Sequence, residues 1–285
     1  MCIMQYNYSV IIPFRDCTDM LQIACNSIPK RDDIQVIVVD NAFNPLGKEV
    51  VNDFGNQNIE YYTSSPIKGA GCARNEGLKH AQGKFLLFLD ADDYFASDAF
   101  DTFDLELSTE CDIVYFNATS VKLGTNITAD RHLTIDAQII KSLKTGIHDE
   151  LRYRFVNPVC KMIRKSLVDA YDIKFQEVPA SNDVMFSVMT GHYANKVKSV
   201  NKIVYVITCG ELGSSLTRTH SYTNELARFH VFVEWYTFLK RVDRLDMCPR
   251  VLGFIYKGFK LFGFKIGLQW LWYAICHKVN IFRGL

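Results

Sequence analysis

The chain has 285 residues, 48% hydrophobic and 22% charged, with a net charge of +1. This composition fits one large or two modest folded domains and argues against disorder. With so little net charge, the chain as a whole has no general attraction to nucleic acid. Nine cysteines, none in a C-x-x-C pair, read as reduced thiols of a cytoplasmic protein, not as a disulfide framework or zinc site. No basic segment followed by an apolar stretch opens the chain, so no signal peptide is expected.

Ser9 to Pro13 is a short apolar run ending in a breaker, which predicts a buried strand. Residues 17–28 carry Met20, Leu21, Ala24 and Ile28 at helical spacing before Pro29. Ile34 to Asp40 is a second buried strand, 46–54 a short helix, and Ile59 to Tyr62 a third strand. A glycine-containing loop then leads to a helix from Ala73 to Ala81. Phe85 to Leu89 is a fourth strand, running straight into Asp90-Ala-Asp-Asp93. Beyond it the pattern loosens. Asp112–Phe116 and Ile203–Ile207 read as strands, 136–144 and 183–191 as helices, and the chain from about 221 onward as helical.

Strands apolar on both faces and alternating with helices imply a mainly parallel sheet covered on both sides. Ligands of such sheets sit outside the carboxyl ends of the strands. Arg15 and Asp16 follow the first strand, Asp40 and Asn41 the second, and the acidic cluster the fourth. Three strand ends thus converge on one crevice.

Three carboxylates within four residues repel one another unless a cation lies among them. At a strand end, Asp90, Asp92 and Asp93 suit Mg²⁺ or Mn²⁺ bridging phosphate oxygens, or else form a solvated turn that caps the next helix. In Lys68-Gly-Ala-Gly-Cys-Ala-Arg-Asn75, two glycines allow close backbone approach to a ligand, and Arg74 can pair with phosphate. Asp183 stands where a helix N-cap would.

Ser9 to Pro13, Val36 to Asp40, Gly69-x-Gly71-x-Ala73-Arg-Asn75-x-Gly77-Leu and Gly83 to Asp93 occur in this order and spacing. Weaker blocks follow at Lys161–Leu167, Ile173–Phe175, Asn182-Asp183-x-x-Phe186 and Ser214–Thr217. In these blocks, over roughly 8–217, the sequence resembles the family 2 glycosyltransferases. The resemblance implies a GT-A fold, Rossmann-like with flanking helices, over 1–220. Its nucleotide-sugar half is about 1–95 and its acceptor half about 96–220, with a helical extension at 221–285.

The resemblance implies an inverting transfer from a nucleotide-diphosphate sugar, a UDP-sugar, to a hydroxyl of a saccharide or lipid-linked saccharide in surface polysaccharide synthesis. It draws the donor site from Pro13, Arg15, Asp16, Asp40, Lys68, Gly71, Arg74, Asp90 and Ala91. Asp40 would meet the base, Asp92 would be the principal metal ligand, and Asp183 the general base. An aspartate of ordinary pKa near 4 needs no shift for that role. Asn182 stands where the family commonly has glutamate, and Phe14-Arg15-Asp16 replaces its usual pair after the proline. Transfer to a polyprenyl phosphate, nucleotidyl transfer and a non-catalytic sugar-nucleotide-binding protein are the competing readings. The segment after the first strand has no glycine, against the second. The joint presence of Asp40, Arg74, Asp92 and Asp183 speaks against the last.

The end of the chain has a character of its own. Between Arg250 and Leu285 there are six Lys or Arg, nine aromatics and no acid. The longest stretch free of charge is twelve residues, Ile266 to His277, short of the roughly 20 a membrane span needs. On one continuous helix, Arg250, Lys257, Lys260, Lys265 and Lys278 would share a side, which suits contact with an anionic membrane surface. A cytoplasmic enzyme, peripheral on the inner face of the plasma membrane, is the corresponding expectation.

Overall fold

The computed structural model describes residues 6–16, 18–42, 45–54, 58–65, 69–125, 127–210 and 221–281. Lys68 and the block at 214–217 lie outside the described residues.

The described residues form one eight-stranded sheet in the order β3-β2-β1-β4-β7-β6-β8-β5. Its first half is β1 (Tyr8–Phe14), β2 (Ile34–Asp40), β3 (Ile59–Thr63) and β4 (Phe85–Phe88), all parallel. β2 is buried at every position, as its unbroken apolar and β-branched run requires of a central parallel strand. The register pairs Phe14 with Asp40 and Asp40 with Thr63, so the carboxyl ends of these strands lie level along one edge.

In the second half, β7 (Lys161–Arg164) runs antiparallel to both β4 and β6 (Ile113–Lys122). β6 and β8 (Val197–Cys209) run parallel, and the short β5 (Tyr94–Phe95) closes the edge antiparallel to β8. The sheet is therefore parallel over the nucleotide half and mixed beyond it. β6 and β8 extend well past the apolar pentads that announce them.

Helices α1 (Thr18–Asn26), α2 (Pro45–Asp53), α3 (Gly69–His80) and α4 (Ala99–Leu105) follow their strands, and α5 (Leu133–Thr145), α6 (Asp149–Tyr153), α7 (Lys165–Ala170) and α8 (Val184–Tyr193) the later ones. α3 starts four residues earlier than its sequence pattern predicts, so Gly69 and Gly71 lie in its first turn. α8 is apolar nearly all round because it is wedged between two cores. Its Phe186 belongs to the core of the sheet. Its Val184, Met185 and Val188 belong to a second core built with α9 (Tyr222–Arg241), α10 (Leu252–Phe262) and α11 (Phe264–Cys276).

The tail is not one continuous helix. Gly263, at φ 87° and ψ 175°, breaks it and turns α11 back against α10, a backbone state that favours glycine. The hairpin is seated by Trp270, 2% exposed, which stacks on Phe229 of α9 at 4.8 Å and 4°. The lysines thus do not form the single stripe that a straight helix would give. Among the described residues no helix is long and apolar enough to cross a membrane.

Trp270→Ala should remove about 3–5 kcal/mol of packing. A lower Tm and tryptic cleavage within α10–α11 are expected; unchanged Tm and protease resistance would contradict the packed hairpin.

Candidate active site

The level strand ends carry the polar residues that the sequence marks. Pro13 is half-buried at the end of β1, and Arg15 and Asp16 are exposed just beyond it, 3.4 Å apart. Asp40 ends β2 fully buried; its carboxylate accepts from Ala42 N at 2.7 Å and from Tyr61 Oη at 2.6 Å. Burial, then the hydrogen bond to Asp40, raises the Tyr61 pKa. Two donors and the parallel register fix this carboxylate at the crevice floor.

The acidic loop leaves β4 as Asp90-Ala91-Asp92-Asp93, and its three aspartates divide the work. Asp90, Asp92 and Asp93 each bring a carboxylate oxygen within 4.8 Å of the others. Asp93 is buried, accepting from Tyr205 Oη at 2.9 Å and Thr208 N at 2.7 Å. Tyr205 Oη in turn accepts from Asp90 N at 3.1 Å. Asp93 is thus a tether to β8 and not a helix cap; the next helix starts only at Ala99. Burial, with Asp92 and Asp90 close by, pushes its carboxyl well above the usual range.

Asp90 gives one oxygen to Arg74 Nη2 at 2.6 Å. Asp92 is the exposed member. Crowding by the protein and then by Asp90 raises its pKa. An all-oxygen set of clustered carboxylates fits a hard divalent cation.

Arg74 is 6% exposed and joins the two halves of the fold. While Nη2 holds Asp90, Nη1 donates to Asn182 Oδ1 at 2.8 Å, and the guanidinium lies 5.4 Å from the Phe175 ring centroid. Phe175 is itself stacked on Phe186 of α8. The glycines upstream of Arg74 have a packing reason. A Cβ on Gly71 would fall 2.1 Å from Gln176 O and 3.0 Å from Asn182 Cβ. Gly69, at φ +70°, faces Val178 O in the same way. They let α3 press against the 176–182 segment, which carries Asn182 and Asp183.

Asp183 sits at the N-cap position of α8, yet its side chain makes no capping hydrogen bond. Burial raises its pKa, opposed by the nearby Arg74 and, more weakly, Lys161. The ordinary aspartate of the sequence reading is thus corrected: this carboxyl is held above its usual value. Behind it, Lys161 is 2% exposed, donates to Phe155 O at 2.7 Å and faces the Phe155 and Tyr115 rings. Burial brings its pKa down to about 7, with Asp183 resisting.

Tyr205, Thr208 and the Asn182 contact are absent from the sequence-based site. The one signal was a tyrosine in the middle of an otherwise apolar strand. Cys25, Cys72, Cys111, Cys160 and Cys276 are free thiols.

Fold and site together define a nucleotide-sugar-type α/β transferase scaffold, and comparison with known proteins gives its family. Residues 9–172 match Glycosyl transferase family 2, and the chain belongs to that family. It is 25% identical over 275 residues to the cholesterol galactosyltransferase of Borreliella burgdorferi, covering 90% of this chain and 73% of that one. It is 29% identical over 169 residues to the GalNAc(5)-diNAcBac-PP-undecaprenol beta-1,3-glucosyltransferase of Campylobacter jejuni. That match covers 56% of this chain and only about half of the relative, 52%. Among solved structures, Staphylococcus aureus TarS 1-349 in complex with UDP-GlcNAc superposes with a TM-score of 0.71 at 19% identity, covering 95% of this chain and 80% of that one. This likeness establishes the fold as GT-A with its C-terminal helices, as the sequence blocks imply.

Tyr205→Phe should strip Asp93 of its hydroxyl donor and Asp90 N of its acceptor, lowering stability by about 1–3 kcal/mol. An unchanged Tm would show that the tether carries no weight.

Proposed function

We propose that this enzyme moves a sugar from a UDP-sugar, with inversion, onto a hydroxyl of a saccharide or lipid-linked saccharide acceptor in surface polysaccharide synthesis. The observation that carries this reading is the Asp183 carboxylate. It is half-buried, is not used to cap α8, and is linked through Asn182 and Arg74 to the acidic loop. A carboxylate spared from capping is available to take a proton from an acceptor hydroxyl.

In this reading Pro13, Arg15, Asp16 and Asp40 line the base side of the donor site, with Arg15 stacking on a pyrimidine. Asp90 and Ala91 would border the ribose and diphosphate, with Arg74 holding Asp90 from behind. A divalent cation, Mn²⁺ or Mg²⁺, held by Asp92, would neutralise charge on the diphosphate leaving group. Asp183 takes the acceptor proton as the hydroxyl oxygen bonds to the anomeric carbon and the diphosphate departs. Arg74 keeps the acidic loop and the segment of the base in fixed relation, and Lys161 acts on the base through its charge. Relatives support the donor and acceptor classes: the S. aureus structure holds UDP-GlcNAc, and the C. jejuni acceptor is a saccharide on undecaprenol diphosphate. The enzyme would then work in the cytoplasm, at the inner face of the plasma membrane.

Asp183→Asn should keep UDP-sugar binding and lose transfer by about a hundredfold to ten-thousandfold; transfer at the parental rate would remove Asp183 as the base. The pH dependence follows from the raised pKa. The base works only when ionised, so kcat/KM is full at higher pH and falls as pH drops through that pKa. The acid limb should lie above the ordinary aspartate value of 3.8. A limb at or below that value in the parent enzyme would contradict the assignment. Asp92→Ala should abolish the gain in UDP affinity that Mn²⁺ confers, read by calorimetry; an undiminished gain would move the cation elsewhere.

A further inference from the structure

α11 buries one face and leaves the opposite face apolar. Gly267, Trp270 and Ala274 are buried against α9 and α10. On the other side Phe264, Leu268, Trp272 and Ile275 are 73%, 43%, 68% and 49% exposed. At about 100° per residue these four lie within roughly 80° of one another. They form a continuous stripe, where a solvated helix would carry polar residues. A thirteen-residue helix is about 20 Å long, too short and too charged at its flanks to span a bilayer, but suited to lie along one.

Charge decides what covers the stripe. Lys260 and Lys265 are exposed on either side of the Gly263 turn, and no ion pair involves either of them among the described residues. The sequence from Arg250 to Leu285 contains six Lys or Arg and no acid. A second copy docked symmetrically on this face would bring lysine against lysine, whereas an anionic surface satisfies them. The hairpin is also tied to the catalytic half. Tyr273 of α11 stacks on His230 of α9 at 4.6 Å. One helical turn along α9, Glu234 accepts from Gln176, whose N donates to Asn182 O at 3.1 Å.

We propose that Phe264, Leu268, Trp272 and Ile275, flanked by Lys260 and Lys265, seat α11 in the headgroup layer of an anionic phospholipid membrane. This deepens the lipid-linked reading of the acceptor and rests on it for its purpose, though not for its geometry. Docking there holds the segment that carries Asp183 at a fixed height above the surface on which such an acceptor is presented.

The test is flotation of the full chain with vesicles of phosphatidylcholine alone or mixed with phosphatidylglycerol. The parent should float with the mixed vesicles and far less with the neutral ones. The triple variant Phe264→Ser, Leu268→Ser, Trp272→Ser should lose about a hundredfold in partitioning. Lys260→Gln with Lys265→Gln should lose about fivefold per lysine, on the anionic vesicles only. All of these side chains are exposed, so Tm should hold. Flotation of the triple variant equal to the parent would overturn the proposal. So would a parent that ignores vesicles, or one that is dimeric until the triple variant makes it monomeric. Transfer to a water-soluble saccharide separates the two readings. Parental turnover by the triple variant is expected if this face only docks. A chain that floats but transfers to no acceptor would sink the proposed function and leave the docking face standing.

Discussion

The guanidinium of Arg74 holds the two halves of this molecule in one working arrangement. It comes from the first turns of α3, reaches Asp90 at the end of β4 and Asn182 at the start of α8, and lies against Phe175. Charge-assisted hydrogen bonds in a buried setting are stronger and more directional than solvated ones. Removing their partner would leave Asp90 facing Asp92 and Asp93 without its ion pair. The metal-type loop and the base-type carboxylate therefore owe their relative position to one side chain. Gly69 and Gly71 make room for that contact by letting α3 meet the 176–182 segment.

A second constraint comes from the edge of the sheet. Tyr205, fully buried on β8, binds both Asp93 and the backbone of Asp90. The acidic loop is thus pinned at both ends, by Arg74 from the nucleotide half and by Tyr205 from the acceptor half. Only Asp92 faces outward. A cluster that looks like three equivalent carboxylates is a tether, a clamp partner and one carboxylate left facing outward.

Much of this was legible in the sequence because it rests on local pattern. β1, β2 and β4 are apolar on both faces, which only a covered parallel sheet explains, and the motif blocks fall at their carboxyl ends. What stayed hidden depends on contacts between distant residues. Gly71 looked like a phosphate-loop glycine because Gln176, which fills its missing Cβ, is far away in the chain. Asp93 looked like a cap because its partners, Tyr205 and Thr208, lie on another strand. Asp183 looked ordinary because burial by α8 and the 176–182 segment leaves no local trace. In the tail, lysine spacing suggested one helix; Gly263 was the visible sign of the turn, but only packing of Trp270 on Phe229 reveals which face remains outward.

The central claim is that Arg74 organises the site while the cation on Asp92 meets the diphosphate. A crystal structure of the chain with UDP and Mn²⁺ tests it most directly. The expected result is an ion ligated by Asp92 and the diphosphate, with Arg74 still bridging Asp90 and Asn182. An ion held elsewhere, with Arg74 released from Asn182 and turned onto the diphosphate, would contradict it.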